Sequence, residues 1–101
     1  MTADLVKSPE SSSRCHFRIR GRVQGVGFRY FARGEALRLG LRGWVRNCTD
    51  GSVESVVIGS GDQVDLFEQA LRKGPTGSGV GSVQRYEMKG SASAESFEIV
   101  Y

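Results

Sequence analysis

Residues 21–29, which read GRVQGVGFR, have the types and the spacing needed to bind a phosphate group. Gly25 and Gly27 permit positive φ and leave no side chain on the concave side of a turn. Successive N–H groups of such a turn can converge on one anion. Arg29 follows directly, with a planar guanidinium that matches two phosphate oxygens. The stretch therefore predicts a phosphate site, and a plain glycine turn followed by a solvated arginine is the alternative.

The position of Arg29 at the start of a predicted helix favours the phosphate interpretation. A cation in the first turn opposes the helix dipole and costs roughly 0.3–1 kcal/mol. An anion bound at that end of the helix removes the conflict, because the helix terminus and the arginine then attract the same ligand.

Four other residues could carry chemistry, but their spacing favours structural roles. Asn47 precedes a predicted hairpin turn, where asparagine is common, although an amide can also orient a water molecule. His16, the only histidine, falls on the polar side of a predicted strand. Cys15 and Cys48 lack metal-ligand spacing and neither begins a Cys-x5-Arg loop, so we interpret them as reduced thiols of a cytoplasmic protein.

The charge distribution favours an anionic ligand. The net charge is only +3, yet residues 14–46 contain nine arginines and one acidic residue. Such a local field attracts a small phosphorylated substrate, a nucleic acid or an acidic partner. No apolar stretch reaches membrane-spanning length, and no Walker lysine loop or paired-aspartate site is present, so neither a metal nor a cofactor is predicted.

Hydrophobic periodicity predicts one small domain that follows a disordered polar leader at residues 1–13. Alternation of apolar and polar residues predicts strands, Asp50-Gly51 predicts a hairpin turn, and Asp62 is the expected cap of the second helix. Residues 76–81 are predicted to form a loop. The predicted strands are 15–20, 42–47, 52–58, 82–88 and 96–101, and the predicted helices are 28–39 and 62–73.

This order predicts an α+β fold of the ferredoxin-like type. A βαββαβ chain of this kind packs two helices on one face of an antiparallel sheet. In the last strand the pattern places Phe97, Ile99 and Tyr101 on one face.

Two motifs resemble the signatures of the acylphosphatases. The first is I-x-G-x-V-Q-G-V-x-F-R at residues 19–29, and the second is G-W-V-R-N-x-x-x-G-x-V at residues 43–53. The resemblance extends over about residues 15–101, so residues 14–101 are interpreted as an acylphosphatase-like domain. It implies a ferredoxin-like fold and a hydrolase that needs no metal.

The resemblance also implies a role for each residue of the site. Arg29 matches the phosphate-binding arginine of the family, and Asn47 matches its water-orienting asparagine. The expected ligands are a small acyl phosphate and inorganic phosphate. The protein is expected to be a monomer and to bind neither nucleic acid nor membrane. The expected backbone cradle consists of Gln24, Gly25, Val26, Gly27 and Phe28.

Two alternatives remain at this point. One is a nucleic-acid-binding module, since ferredoxin-like sheets include RNA-recognition domains that stack bases on aromatic residues of the central strands. The predicted strand 52–58 has no aromatic residue and contains Glu54, which argues against it. The other is a domain that binds phosphate without turnover, as in larger hydrogenase maturation proteins, although a chain ending at Tyr101 favours the stand-alone enzyme.

Overall fold

In the computed structural model, which describes residues 12–89 and 94–101, the chain forms five strands and two helices. The predicted leader lies outside the described residues, except that Ser12 and Ser13 belong to the first strand. The elements are β1 (Ser12–Arg22), α1 (Phe28–Arg38), β2 (Arg42–Asn47), β3 (Val53–Ser60), α2 (Gly61–Lys73), β4 (Gly79–Glu87) and β5 (Phe97–Ile99).

The strands form one sheet in the order β4-β1-β3-β2-β5, with both helices packed on the same face. This confirms the ferredoxin-like prediction. The sheet is mixed rather than wholly antiparallel, because β5 pairs parallel to β2. Strand β4 runs antiparallel to β2. The chain leaves β4 at one end of the sheet and enters β5, on the opposite edge, from that same end, so β5 runs in the direction of β2.

The core lies between the sheet and the two helices. The predicted alternation of β1 is confirmed, because Cys15, Phe17 and Ile19 are all fully buried. The Phe67 ring of α2 packs edge-on against Phe17, with centroids 5.8 Å apart, and against Phe97 of β5, at 6.1 Å. These contacts attach both the second helix and the last strand to β1, the strand that leads into the predicted phosphate loop.

The cap of α2 differs from the prediction. Strand β3 continues to Ser60, whose hydroxyl accepts a hydrogen bond from the Gln63 backbone N–H at 3.2 Å. The Gln63 side chain in turn accepts from the Ser60 N–H at 2.9 Å, which completes a capping box. Asp62 therefore lies in the first turn of the helix, where its charge complements the positive helix end.

Part of the predicted 76–81 loop belongs to β4. Gly79 and Val80 pair with Arg22 and Gly21 at the end of β1, and the register shifts at Gly81, between these pairs and the pair of Arg20 with Ser82. Gly21 makes this pairing possible, because its φ is 127° and a Cβ there would collide with the Gly79 carbonyl. Because Gly21, the first glycine of the sequence motif, has no Cβ, β1 and β4 can approach closely just before the loop begins.

Candidate active site

The loop between β1 and α1 has the backbone conformation that the glycines predict. Gly25 and Gly27 adopt left-handed φ angles of 76° and 78°. A Cβ at either position would meet no atom within 4 Å, so the backbone angle rather than crowding requires glycine there. Val23 is buried in the core and Val26 packs against it, which fixes the loop from below.

The first helix presents an uncapped N-terminus to this loop. Helix α1 begins at Phe28, its N-cap residue Gly27 has no side chain, and its first turn contains no acidic residue. The first backbone N–H groups of a helix have no partner within the helix. Here they lie at the loop, together with Arg29, and form a positive site suited to an anion.

A cavity of about 140 Å³ joins this loop to the end of β2. It brings Arg29 and Asn47 into one site, as the resemblance implied, although they lie on different elements. Two of the predicted cradle residues, Gln24 and Val26, do not line it with their side chains. The lining residues are Val23, Gly25, Gly27, Phe28, Arg29, Tyr30 and Asn47.

The Gln24 side chain instead joins the loop to the β2–β3 hairpin. Its amide nitrogen donates to the carbonyl oxygens of Cys48 and Ser52, both at 2.8 Å. These two carbonyls flank the turn that follows Asn47. Gln24 therefore sets the distance between the phosphate loop and the hairpin, a role that the sequence did not predict because it depends on a tertiary contact.

The hairpin turn that follows Asn47 is firmly held. The N–H of Cys48 donates to the Ser52 carbonyl at 2.8 Å. Asp50 accepts hydrogen bonds from the Ser52 hydroxyl at 2.6 Å and backbone N–H at 2.9 Å. These bonds, with Arg20 as a further donor, lower the pKa of Asp50 to about 2. Asn47 is the last residue of β2 and directly precedes this turn, so its backbone position is well restrained.

Among the residues that the structure describes, no carboxylate lies within ion-pair distance of Arg29, whereas six of the other arginines form such pairs. The Arg29 guanidinium carbon lies 4.8 Å from the centroid of the Tyr101 ring. The arginines that do form ion pairs with carboxylates are Arg18, Arg20, Arg38, Arg46, Arg72 and Arg85. The edge of the Arg29 guanidinium therefore remains available to an anionic ligand.

The last strand is shorter than predicted, because β5 ends at Ile99. Phe97 is buried and Ile99 packs against the core, whereas Tyr101 is 86% exposed. The Val100 N–H still donates to the Val45 carbonyl at 2.8 Å, and Tyr101 lies beyond the core, where it lines a second cavity that shares Asn47 with the first.

The remaining candidate residues have structural partners. Glu54 accepts from His16 Nε2 at 2.6 Å and from Arg46 Nε at 2.7 Å. Burial opposes the charged form of Glu54, but these hydrogen bonds outweigh it and lower the pKa to about 2. Burial raises the pKa of the Cys15 thiol to about 11. Neither His16 nor Cys15 lines either of the two cavities. We therefore assign neither residue a role as nucleophile or base at this site.

Residues 12–89 and 94–101 contain neither a metal-binding cluster nor a membrane-spanning helix. No cluster of three or more histidine, cysteine, aspartate or glutamate side chains could hold a metal ion. None of the described helices has the length and hydropathy to cross a membrane.

Comparison with known proteins finds similar sequences and similar structures in one family. The acylphosphatase family model matches residues 15–99. An acylphosphatase from Rhizobium etli is 52% identical over 67 residues, which cover 66% of this chain and 71% of that protein. An acylphosphatase from Bacillus pumilus is 45% identical over 84 residues, which cover 83% of this chain and 93% of the relative.

The fold agrees with this result. The crystal structure of acylphosphatase from Bacillus subtilis superposes with a TM-score of 0.86 at 37% identity, and the match covers 88% of this chain and 99% of that one. With motifs, fold and family match in agreement, the chain belongs to the acylphosphatase family.

Proposed function

We propose that Arg29 and Asn47 are the catalytic residues of this acylphosphatase, which hydrolyses small acyl phosphates to a carboxylate and inorganic phosphate. The observation that carries the proposal is the cavity lined by both side chains and by the glycine loop. The loop and Arg29 bind the phosphoryl group, and Asn47 orients the water that attacks it.

The loop and the helix end bind the phosphoryl oxygens. The left-handed φ angles of Gly25 and Gly27 allow successive N–H groups of the loop to converge on one anion, and the uncapped start of α1 adds its dipole. Arg29 supplies a full positive charge and a pair of parallel donors. Phosphoryl transfer passes through a loose transition state, so positioning and charge stabilisation of this kind provide most of the catalysis.

Asn47 serves the attacking water rather than the phosphate. Its amide carries both a donor and an acceptor and does not titrate, so it can orient a water at any working pH. The Gln24 bridge and the braced turn hold this amide at a constant distance from the loop. The substrate's own phosphate oxygens accept the proton that the water loses.

The site needs no protein acid for this reaction. The leaving group is a carboxylate with a pKa of about 4, which departs without protonation at neutral pH. The leaving group of a simple phosphate monoester is an alkoxide, which departs far less readily than a carboxylate. The uncatalysed hydrolysis of such monoesters is among the slowest reactions known. We therefore expect turnover of acyl phosphates and none of simple phosphate monoesters.

The test is hydrolysis of benzoyl phosphate in EDTA by wild type, Arg29→Ala and Asn47→Ala. Arg29→Ala should weaken inorganic phosphate binding by about 10- to 150-fold, because it removes charged hydrogen bonds, and turnover should fall with it. Asn47→Ala should lower kcat by about 100-fold and change the Kd of phosphate by less than about threefold.

Arg33→Ala is the matched control for charge. Arg33 is exposed and lies one helical turn after Arg29 in α1. It removes the same charge outside the cavity, so it should retain activity. Equal phosphate affinity in wild type and Arg29→Ala would overturn the site assignment. Phosphate binding by a wild type that does not hydrolyse benzoyl phosphate would instead leave a binding domain without the enzyme.

We further propose a monomer that acts in the cytoplasm and does not bind nucleic acid. The two free cysteines are compatible with a reducing compartment. On the face of the sheet away from the helices, the Glu54 carboxylate pairs with Arg46 at 2.7 Å and lies 3.6 Å from Arg18, which offsets part of the positive charge that would attract a polyanion. Size-exclusion chromatography tests the monomer, and oligonucleotide titration at low salt tests the absence of nucleic-acid binding.

A further inference from the structure

The Tyr101 ring is the structural neighbour of the proposed phosphate-binding arginine. Its centroid lies 4.8 Å from the Arg29 guanidinium carbon, within the range of a cation–π contact. Tyr101 lies outside both sequence motifs, and it lines the cavity that adjoins Asn47. It is 86% exposed, so the ring contributes little to the hydrophobic core.

The geometry of this contact leaves the arginine free to bind an anion. The N–H donors of a guanidinium point outward in its plane, whereas an aromatic ring contacts its face. A carboxylate partner would occupy the donors and neutralise the charge. That is the situation of Arg46, whose Nε donates to Glu54 at 2.7 Å. A ring restrains the side chain without either effect.

Tyr30 keeps the ring in a suitable state. It follows Arg29 in α1 and lines the phosphate cavity. The Tyr30 side chain raises the pKa of the Tyr101 hydroxyl above its usual value, chiefly by hydrogen bonding, while Arg29 acts in the opposite direction. A tyrosine of ordinary pKa, about 10, is already a neutral phenol at neutral pH, and the rise keeps it so; Tyr101 therefore does not compete with phosphate for the positive charge.

We infer that Tyr101 is a positioning residue that holds the Arg29 side chain ready for the phosphoryl group. An unrestrained arginine loses considerable rotamer freedom when it binds a ligand, and a side chain already held by a ring loses less. The inference rests on the proposed role of Arg29 and adds a residue that neither motif contains.

The experiment compares Tyr101→Leu, which removes the ring, with Tyr101→Phe, which keeps it. Tyr101→Leu should raise the Kd of inorganic phosphate and the KM of benzoyl phosphate by about two- to fivefold, the size of an exposed cation–π contact. In Tyr101→Phe both constants should stay within about twofold of wild type, and kcat and Tm should change little in either variant. Tyr86→Leu, which alters a half-exposed tyrosine of β4, is the matched control.

A double-mutant cycle separates positioning from other effects. In an Arg29→Ala background, Tyr101→Leu should have no further effect on phosphate affinity. The inference would be overturned if Tyr101→Leu weakened phosphate binding equally in both backgrounds. It would also be overturned if Tyr101→Leu had a normal Kd while Arg29→Ala bound phosphate poorly, and that second result would leave the proposed function intact. Normal phosphate binding by Arg29→Ala would instead remove the proposed site itself.

Discussion

Replacing Gln24 with methionine should lower both stability and turnover, because the Gln24 amide joins the phosphate loop to the hairpin through the two 2.8 Å hydrogen bonds described above. Methionine has a similar length and fills the same space, so the change removes the hydrogen bonds with little cavity. A neutral hydrogen bond contributes a net of about 1 kcal/mol. The free energy of unfolding should therefore fall by about 2 kcal/mol, which lowers Tm by about 8–16 °C in a domain of this size.

The effect on catalysis should be unequal between binding and turnover. The proposed phosphate contacts come from the loop backbone and Arg29, which the substitution leaves in place, so the Kd of phosphate should change by less than about threefold. Asn47 lies on the hairpin that the bridge positions, and a misplacement of 1 Å can reduce a rate about 100-fold. We expect kcat for benzoyl phosphate to fall by at least about tenfold.

The assays are urea denaturation and steady-state hydrolysis, with Gln84→Met as the control. Gln84 is exposed on β4, so the same substitution there should change neither property. An unfolding free energy within 0.5 kcal/mol of wild type, a margin typical of neutral surface changes, would show that the hydrogen bonds contribute nothing. Lower stability with an unchanged kcat would show that the bridge supports the fold and does not position Asn47.

Four further predictions concern the scaffold. Gly34→Ala should stabilise the protein by about 1 kcal/mol in urea denaturation, since a Cβ there meets no atom within 4 Å. Gly43→Ala should destabilise it by at least about 2 kcal/mol, because its φ is 134° and a Cβ would collide with a backbone carbonyl of β3; stability changes of the same sign in both would contradict the reasoning. Glu54→Gln should lower the free energy of unfolding by about 2 kcal/mol at pH 7. Because the folded pKa is lowered from 4.5 to about 2, the difference should shrink as the pH falls through that range, and a pH-independent difference would contradict the ion-pair explanation. Titration with a thiol reagent at pH 8 should modify Cys48 in the folded protein and Cys15 only after unfolding, since the latter is fully buried with a pKa of about 11; rapid modification of both would show that β1 opens readily.

Local patterns in the sequence were sufficient to predict the elements and the phosphate loop. Alternation in β1, helical spacing in α1 and the glycines of residues 21–29 act through backbone sterics and nearest neighbours, and the structure confirms each of them. The proposed roles of Arg29 and Asn47 came from two motifs, and the structure brings both residues to one cavity. For Asn47 the spacing alone favoured a turn residue, because orienting a water requires a partner site that local sequence does not specify.

Contacts between distant segments were decided only by the tertiary structure. The Gln24 bridge, the pairing of His16 with Glu54 and the Tyr101 ring over Arg29 join residues between 24 and 72 positions apart. The short β5 strand follows the same rule, since its direction depends on which edge of the sheet the chain reaches after β4. Backbone preferences act over a few residues, whereas the register of the sheet and the packing of the helices determine which remote side chains meet. For that reason the sequence predicted what the site contains, and the fold determined what holds it in place.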